Sequence, residues 1–512
     1  MIYKPNVGRF KDTCIYWHEG RYHLFSMYMH QRGPDELFRN VWSAVSDDGV
    51  HWEHLGPVIA DTPFNIWAMA VHPVGGRFIM NHGSFTRPGI QNVIRFWESK
   101  DLVHWTYRGP QTDLTPDTRW YHPDSRLDCM DVVTAEEDGR RVWYGYATGP
   151  GGFLRSADGL NWEGLPPPTI DWNGLAAPPT PGDEGLFEIG GCEIIDGKIY
   201  LLGGWFNYFG FPGYGVFTLI GDTPRGPFRA DPAAYRLCGN SGRWVALWAR
   251  YIRAQPELLI NGYMYDGFTY ETGETWLPPI KKAVVDRGHL RLGYWQGNEA
   301  LKGKRWPIEP KRIGLTFPKG GSDCACRLTD RGVEIEAKPE VGSHSRLVLR
   351  SHVPTAVAML DQPLEAAEGL VIEGTVAVTA SDPRLVSPSV GFFLEEADGE
   401  GTAIILHACG RTEIGEMVFG QDGRAEFACE DAIVPGCAAT PGIVPHVPHR
   451  FRLLLRRNMF ELYLDDLLVQ TFNTTHSPDA PGCFPRRLGL LVQNGQGVFG
   501  GLAAWRMTLG SD

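Results

Sequence analysis

Arg9-Phe10-Lys11-Asp12-Thr13-Cys14-Ile15-Tyr16-Trp17-His18-Glu19-Gly20-Arg21-Tyr22-His23-Leu24-Phe25 sets an acid at the head of a short apolar strand, then a Glu-Gly turn, then a second alternating strand. Two such runs joined by a Gly-containing turn read as a β-hairpin. Further hairpins follow at Met69–Met80 (turn Gly75-Gly76), Asp131–Tyr144 (turn Asp138-Gly139) and Cys192–Leu202 (turn Asp196-Gly197). A weaker fifth spans Ala249–Ile260 and turns near Pro256-Glu257. The turns recur about every 56–63 residues, the spacing of one supersecondary unit per step in a propeller or solenoid.

A second motif keeps the same period. It reads Ser46-Asp47-Asp48-Gly49-Val50-His51-Trp52, then Ser99 to Trp105, then Ser156 to Trp162, with a looser copy at Thr223–Phe228. Each is a polar turn followed by an aromatic able to plug between neighbouring sheets. The fold expected is all-β: a five-bladed β-propeller over 1–306. The period stops after Lys302–Trp306, and 307–325 read as a connector. From 326 to 512, short alternating strands such as Arg346–Arg350, Gly374–Val378, Val390–Leu394, Phe451–Leu455 and Arg487–Val492 predict an antiparallel β-sandwich that packs on the propeller.

Composition narrows the function. The chain has 512 residues, enough for two or three domains, and a net charge of −12 without a long basic run. That disfavours nucleic acid and anionic membranes as partners. No apolar run is long enough to span a membrane, and Met1–Pro5 leads directly into the first hairpin, so neither a membrane anchor nor a secretion signal is expected. The 10 cysteines are scattered. They are expected to be reduced, mostly buried thiols in a cytoplasmic protein. No His/Cys/Asp/Glu cluster has metal-ligand spacing, so no metal or other cofactor is expected. Aromatic residues make up 12% of the chain, which serves both a β-rich core and sugar stacking.

Hydrolysis of a glycosidic bond needs two carboxyl groups in different protonation states, and burial with like-charge proximity separates their pKa values. Three acids occupy like positions ahead of their turn glycines: Asp12 before Gly20, Asp131 before Gly139 and Glu188 before Gly197. A carboxylate at the start of an apolar strand is costly unless it is used or paired. The second hairpin has Asn65-Ile66-Trp67 there and no acid. Trp67, Trp205 and Phe206, and less directly Trp295, are candidate sugar platforms, and His82 a candidate substrate contact.

Lys11–Phe25 resembles the opening Asp-Pro-Asn-Gly motif and hairpin of glycoside hydrolase family 32. Arg126-Leu127-Asp128-Cys129-Met130-Asp131 resembles that family's Arg-Asp-Pro motif. Phe187-Glu188-Ile189-Gly190-Gly191-Cys192 resembles its Glu-Cys-Pro motif, and equally the Glu-Gly-Pro motif of family 43. The resemblance implies a propeller with a following sandwich and a glycoside or oligosaccharide substrate, above all a β-fructofuranoside. It further implies Asp12 as nucleophile, Glu188 as general acid/base, and Asp131 as the stabiliser that holds sugar hydroxyls, with Arg126 nearby. Asp128 is a rival for the stabiliser's place and Glu193 for the acid's. Asp12 is not followed by Pro-Asn-Gly, and Arg126 is not adjacent to Asp131, so the chain reads as a distant relative. A retaining enzyme would hold its two carboxyls roughly 5–5.5 Å apart. The alternatives are a family 43-like inverting arabinofuranosidase or xylosidase, and a non-catalytic glycan-binding propeller.

Overall fold

The computed structural model describes residues 1–512 apart from 7, 30–37, 88, 150–151, 175–187, 207–213, 235–236, 238–248, 268–273, 314, 317–323, 338–352, 380–386, 422, 424, 434–442, 475–483 and 511–512. The expected strand at Arg346–Arg350 lies outside the described residues. Among the described residues the regular structure is almost all β-strand, with only short helical turns.

The predicted hairpins form. Both central residues of the first four turns have positive φ: Glu19 and Gly20, Gly75 and Gly76, Asp138 and Gly139, Asp196 and Gly197. That pairing matches the right-handed twist of the flanking strands, and it favours Asp-Gly and Gly-Gly. The first three hairpins extend into antiparallel sheets that run in chain order; the fourth does so through Phe228–Ala230 and adds Ile170–Asp171, which pairs parallel to that strand. The first holds Arg9–His18, Arg21–Met29, Asn40–Ser46 and Glu53–Ile59. The second begins with Trp67–Val74, the third with Met130–Glu137 and the fourth with Glu188–Ile195. A fifth group, Arg250–Ala254, Glu257–Asn261, Lys281–Asp286 and His289–Tyr294, continues through the Gly293–Leu467 pairing into a sheet of the C-terminal half.

The first strands of the five groups pack on one another in a closed cycle, with Arg9–His18 against Trp67–Val74 on one side and Arg250–Ala254 on the other. Residues from the head of each first strand therefore converge on one axis. The N-terminus ties the cycle: Ile2 N–H donates to the Leu277 carbonyl (2.8 Å) and Leu277 N–H to that of Tyr3 (2.8 Å). The Ser-x-Asp turns close on themselves. Asp48 Oδ1 accepts the N–H groups of Val50 and His51 and Ser46 Oγ that of Gly49, and the same bonds recur at Ser156 and Asp158. Their aromatics pack inward, with Trp52 and Trp105 buried and Trp162 against the core between the second and third sheets.

In the C-terminal half, one sheet runs from Leu467–Asn473 to Cys324–Thr329 and a second from Leu315–Thr316 to Ala425–Ile433. Ile335, Val376 and Phe451 of one meet Phe392, Leu394 and Leu490 of the other in a common core, where the Phe392 and Phe451 ring centroids lie 4.7 Å apart. Lys302–Trp306 pairs with Gly495–Met507, in the same sheet that the fifth group enters through Gly293 and Leu467. Among the described residues no disulfide forms, and no helix is long and apolar enough to cross a membrane.

Candidate active site

Asp12 sits in a bulge. The pairing of Arg9–His18 with Arg21–Met29 slips between Lys11 and Cys14, and Asp12 has φ of 50°. A bulge re-aims the side chains of its strand, and positive φ at a non-glycine residue persists only where the surroundings impose it. Here the fifth group imposes it. Tyr263 Oη donates to Asp12 Oδ1 (2.9 Å), and Thr13 Oγ1 donates to the Gly262 carbonyl (3.2 Å). The Asp12 side chain is buried.

Asp128 lies just ahead of Met130–Glu137, and its N–H donates to the Thr148 carbonyl (3.0 Å). The second sheet comes so close that a Cβ on Gly83 would stand 2.5 Å from Asp128 Cα, so only glycine fits there. Arg126 Nη2 donates to Asp128 Oδ2 and lies 2.9 Å from Glu188 Oε1. One guanidinium thus gathers two carboxyl groups from different sheets, a task suited to its planar array of donors. Glu188 is the buried first residue of its strand. Burial pushes Asp128 up to about 6; Arg126 opposes the rise, while Glu188 and Asp12 add to it. Asp12, Asp128 and Glu188 therefore form one electrostatically coupled cluster at the strand heads.

Asp131 is not part of that cluster. Its Oδ2 accepts the Cys192 N–H (2.7 Å), and it lines a separate cavity together with Glu193 and Arg253. Glu193 pairs with Arg253 there (2.5 Å). The cause is register. The first strand bulges at Asp12, and the fourth slips between Ile189 and Gly191, whereas Met130–Glu137 pairs without a shift. A slip of one residue turns a side chain to the other face, and counting back from a turn glycine cannot see it.

The other candidates divide. Trp67 is half-buried at the head of its strand, with Lys11 Nζ 5.5 Å from its ring centroid, which sets it beside the Asp12 bulge. Trp205 pairs through its backbone with Gly215, but its side chain, like that of Phe206, lies outside the described residues. His82 is fully buried in the second sheet, where its Nδ1 meets the Gly83 carbonyl (2.9 Å) and its ring packs on Trp97. Burial pushes it down to about 4, so it stands as a neutral core histidine. Trp295 is also core: its Nε1 donates to Glu257 (2.7 Å) and its ring packs on Tyr22 and Gly49. Tyr263 was not singled out by the sequence; the one signal is an aromatic just past the fifth hairpin.

No protein-family profile matches the sequence, and no curated protein matches it. Solved structures do. The chain superposes on the Bombyx mori family 32 β-fructofuranosidase BmSUC1 with a TM-score of 0.58 at 14% identity, over 99% of this chain and 93% of that one. It matches sucrose-6-phosphate hydrolase from Lactobacillus gasseri with a TM-score of 0.60 at 12% identity, over 98% and 91%. It matches fructan 1-exohydrolase IIa from Cichorium intybus with a TM-score of 0.57 at 13% identity, over 100% and 97%. The chain shares its fold with family 32 glycoside hydrolases over nearly its whole length.

Proposed function

We propose that this chain is a glycoside hydrolase of the furanosidase kind, cleaving β-fructofuranosides with Asp12 as nucleophile and Glu188 as general acid/base. The observation that carries the reading is the gathering of Asp12, Asp128 and Glu188 near the strand heads, where Arg126 joins Asp128 to Glu188, Asp12 adds its field to that of Asp128, and Tyr263 braces Asp12. The closed cycle of five first strands is read as a five-bladed propeller, and the two C-terminal sheets as a β-sandwich. The substrate class draws support from the fold neighbours, among them a variant of the Bombyx mori enzyme in complex with sucrose and a variant of the Cichorium intybus enzyme in complex with 1-kestose.

In this reading the stabiliser is Asp128 rather than Asp131, because Asp128 shares Arg126 with Glu188 and Asp131 faces elsewhere. Asp12 attacks the anomeric carbon while Glu188 donates its proton to the leaving oxygen. A glycosyl ester on Asp12 forms, and Glu188 then takes a proton from the water that opens it. Asp128 accepts hydrogen bonds from sugar hydroxyls, and Trp67 offers a ring face beside the bulge. The test is a panel of sucrose, 1-kestose and nitrophenyl furanosides with the purified protein. Fructose release that is lost in Asp12→Asn and Glu188→Gln supports the reading. Release of arabinose or xylose alone reassigns the substrate, and sugar binding without cleavage makes the chain a glycan-binding protein.

A further inference from the structure

Below the carboxyl cluster, the same first strands enclose a cavity of about 450 Å³. Four to five residues past Asp12, Tyr16 and Trp17 form part of its wall, and Trp143 another part. The lining begins at Cys14, two residues or roughly 7 Å along the strand from Asp12, and runs past Ile15 to Trp17, roughly 16 Å along it. A floor separates the two. Arg250 Nη2 lies against Cys129 Sγ (2.7 Å), Cys129 adjoins Asp128 in the chain, and Arg250 lines the cavity. At the far end Thr134 and Arg141 are exposed, so the cavity opens to solvent away from the cluster.

Its lining is mixed. Arg253 binds Glu193 and the carbonyls of Cys192 (2.8 Å) and Val132 (3.2 Å), tying the third, fourth and fifth sheets together. Asp131 stands in the field of both Arg250 and Arg253. The buried Arg250 and the partly exposed Arg253 thus face the carboxylates of Asp131 and Glu193, which balance their charge within the cavity. Among the described residues, no group of three His, Cys, Asp or Glu side chains is placed to hold a metal. In the lining, the buried Tyr251 Oη and His72 Nδ1 have no hydrogen-bond partner among the described residues. The Tyr251 and His72 side chains are both more than nine-tenths buried. His72 Nε2 meets the Gly159 carbonyl (3.1 Å), which fixes the tautomer and leaves Nδ1 as an acceptor. An unsatisfied buried group is costly, so these atoms call for a partner.

We propose that this axial cavity binds a small neutral polyhydroxylated molecule, a monosaccharide or polyol, at a site separate from the carboxyl cluster. Its volume falls in the range of ligand pockets, about 300–1,000 Å³. Indole and phenol rings offer faces to C–H groups, and both donors and acceptors wait for hydroxyls, which are both at once. The site does not depend on the roles given to Asp12 and Glu188.

The test is fluorine NMR of the full chain labelled with 5-fluorotryptophan and titrated with fructose. Trp17 and Trp143 are assigned through Trp→Phe variants. The expected result is a saturable shift of both resonances. Tyr251→Phe weakens it about three- to tenfold, the effect of one lost hydrogen bond. Thr134→Phe, at an exposed position of the lining, blocks the cavity and removes the shift even if Tyr251→Phe fails to fold. Asp128→Asn leaves the shift in place. The proposal is overturned if neither resonance shifts saturably, if sulfate shifts them and fructose does not, if Tyr251→Phe folds and binds as wild type, or if Asp128→Asn abolishes the shift.

Discussion

Tyr263 and Asp12 stand 251 positions apart in the chain, yet the tyrosine hydroxyl donates to the aspartate Oδ1 over 2.9 Å, both side chains buried. The bond holds the proposed nucleophile on a bulged, left-handed stretch of backbone that would otherwise relax. Tyr263→Phe keeps the ring and removes the donor. A hydrogen bond to a charged group contributes about 1.5–3 kcal/mol, so kcat should fall about 10- to 150-fold. KM should change little, because the interaction orients the attacking group rather than the substrate. Steady-state kinetics on sucrose checks the split.

Asp128 should make the protein less stable as pH rises. Its carboxyl titrates near 6 when folded against 3.8 as the ordinary value, with burial the main cause. Between those values the folded state holds a proton that the unfolded state has lost, so stability falls as pH rises from about 4 to 6 and stays lower above. Asp128→Asn removes that titration. The variant should gain about 2–3 kcal/mol relative to wild type at pH 7 and little at pH 3.5, measured by urea unfolding, while losing activity.

Glu188→Gln separates proton donation from nucleophilic attack. Substrates with poor leaving groups need the proton and should lose most, about 10²–10⁴-fold in kcat/KM. Activated nitrophenyl furanosides should lose clearly less. Equal losses on both would give Glu188 a purely structural part in the cluster with Arg126.

The two halves of the chain should unfold together. Lys281 of the fifth group and Glu461 of the C-terminal sheet form a fully buried ion pair, and Tyr463 Oη also donates to Glu461 (2.7 Å). Removing one partner of such a pair leaves an uncompensated charge, at a cost of about 3–5 kcal/mol. Glu461→Leu should lower the melting temperature sharply. Lys281→Met combined with it should recover much of the loss, in a single calorimetric transition.

What the sequence disclosed was whatever local chemistry determines. Asp-Gly and Gly-Gly turns with alternating flanks located the hairpins, and the Ser-x-Asp turns with their tryptophans confirmed the period. Asp12 and Glu188 stood out because acids at strand heads are costly without a use, and Arg126 through the resemblance of its stretch to an Arg-Asp-Pro motif. The choice between Asp128 and Asp131 was not legible, since it hangs on a slip present at Asp12 and at Ile189/Gly191 and absent from Met130–Glu137. Tyr263 was hidden for another reason: its contact is wholly non-local, and one aromatic past a weak hairpin carries no periodic signal. His82 and Trp295 read as site residues by type, yet packing places both in the core.

The stereochemical course of cleavage tests the central claim most directly. Sucrose labelled with ¹³C at the fructosyl anomeric carbon, followed by NMR during the first turnovers, reports both whether the bond breaks and which anomer leaves first. Attack by Asp12 followed by water inverts the centre twice, so the account predicts β-fructofuranose as the first product, with the α and other forms growing in later. An α product formed first would remove Asp12 as nucleophile and make it the base that activates water. No release of fructose at all would contradict the fructofuranosidase reading itself.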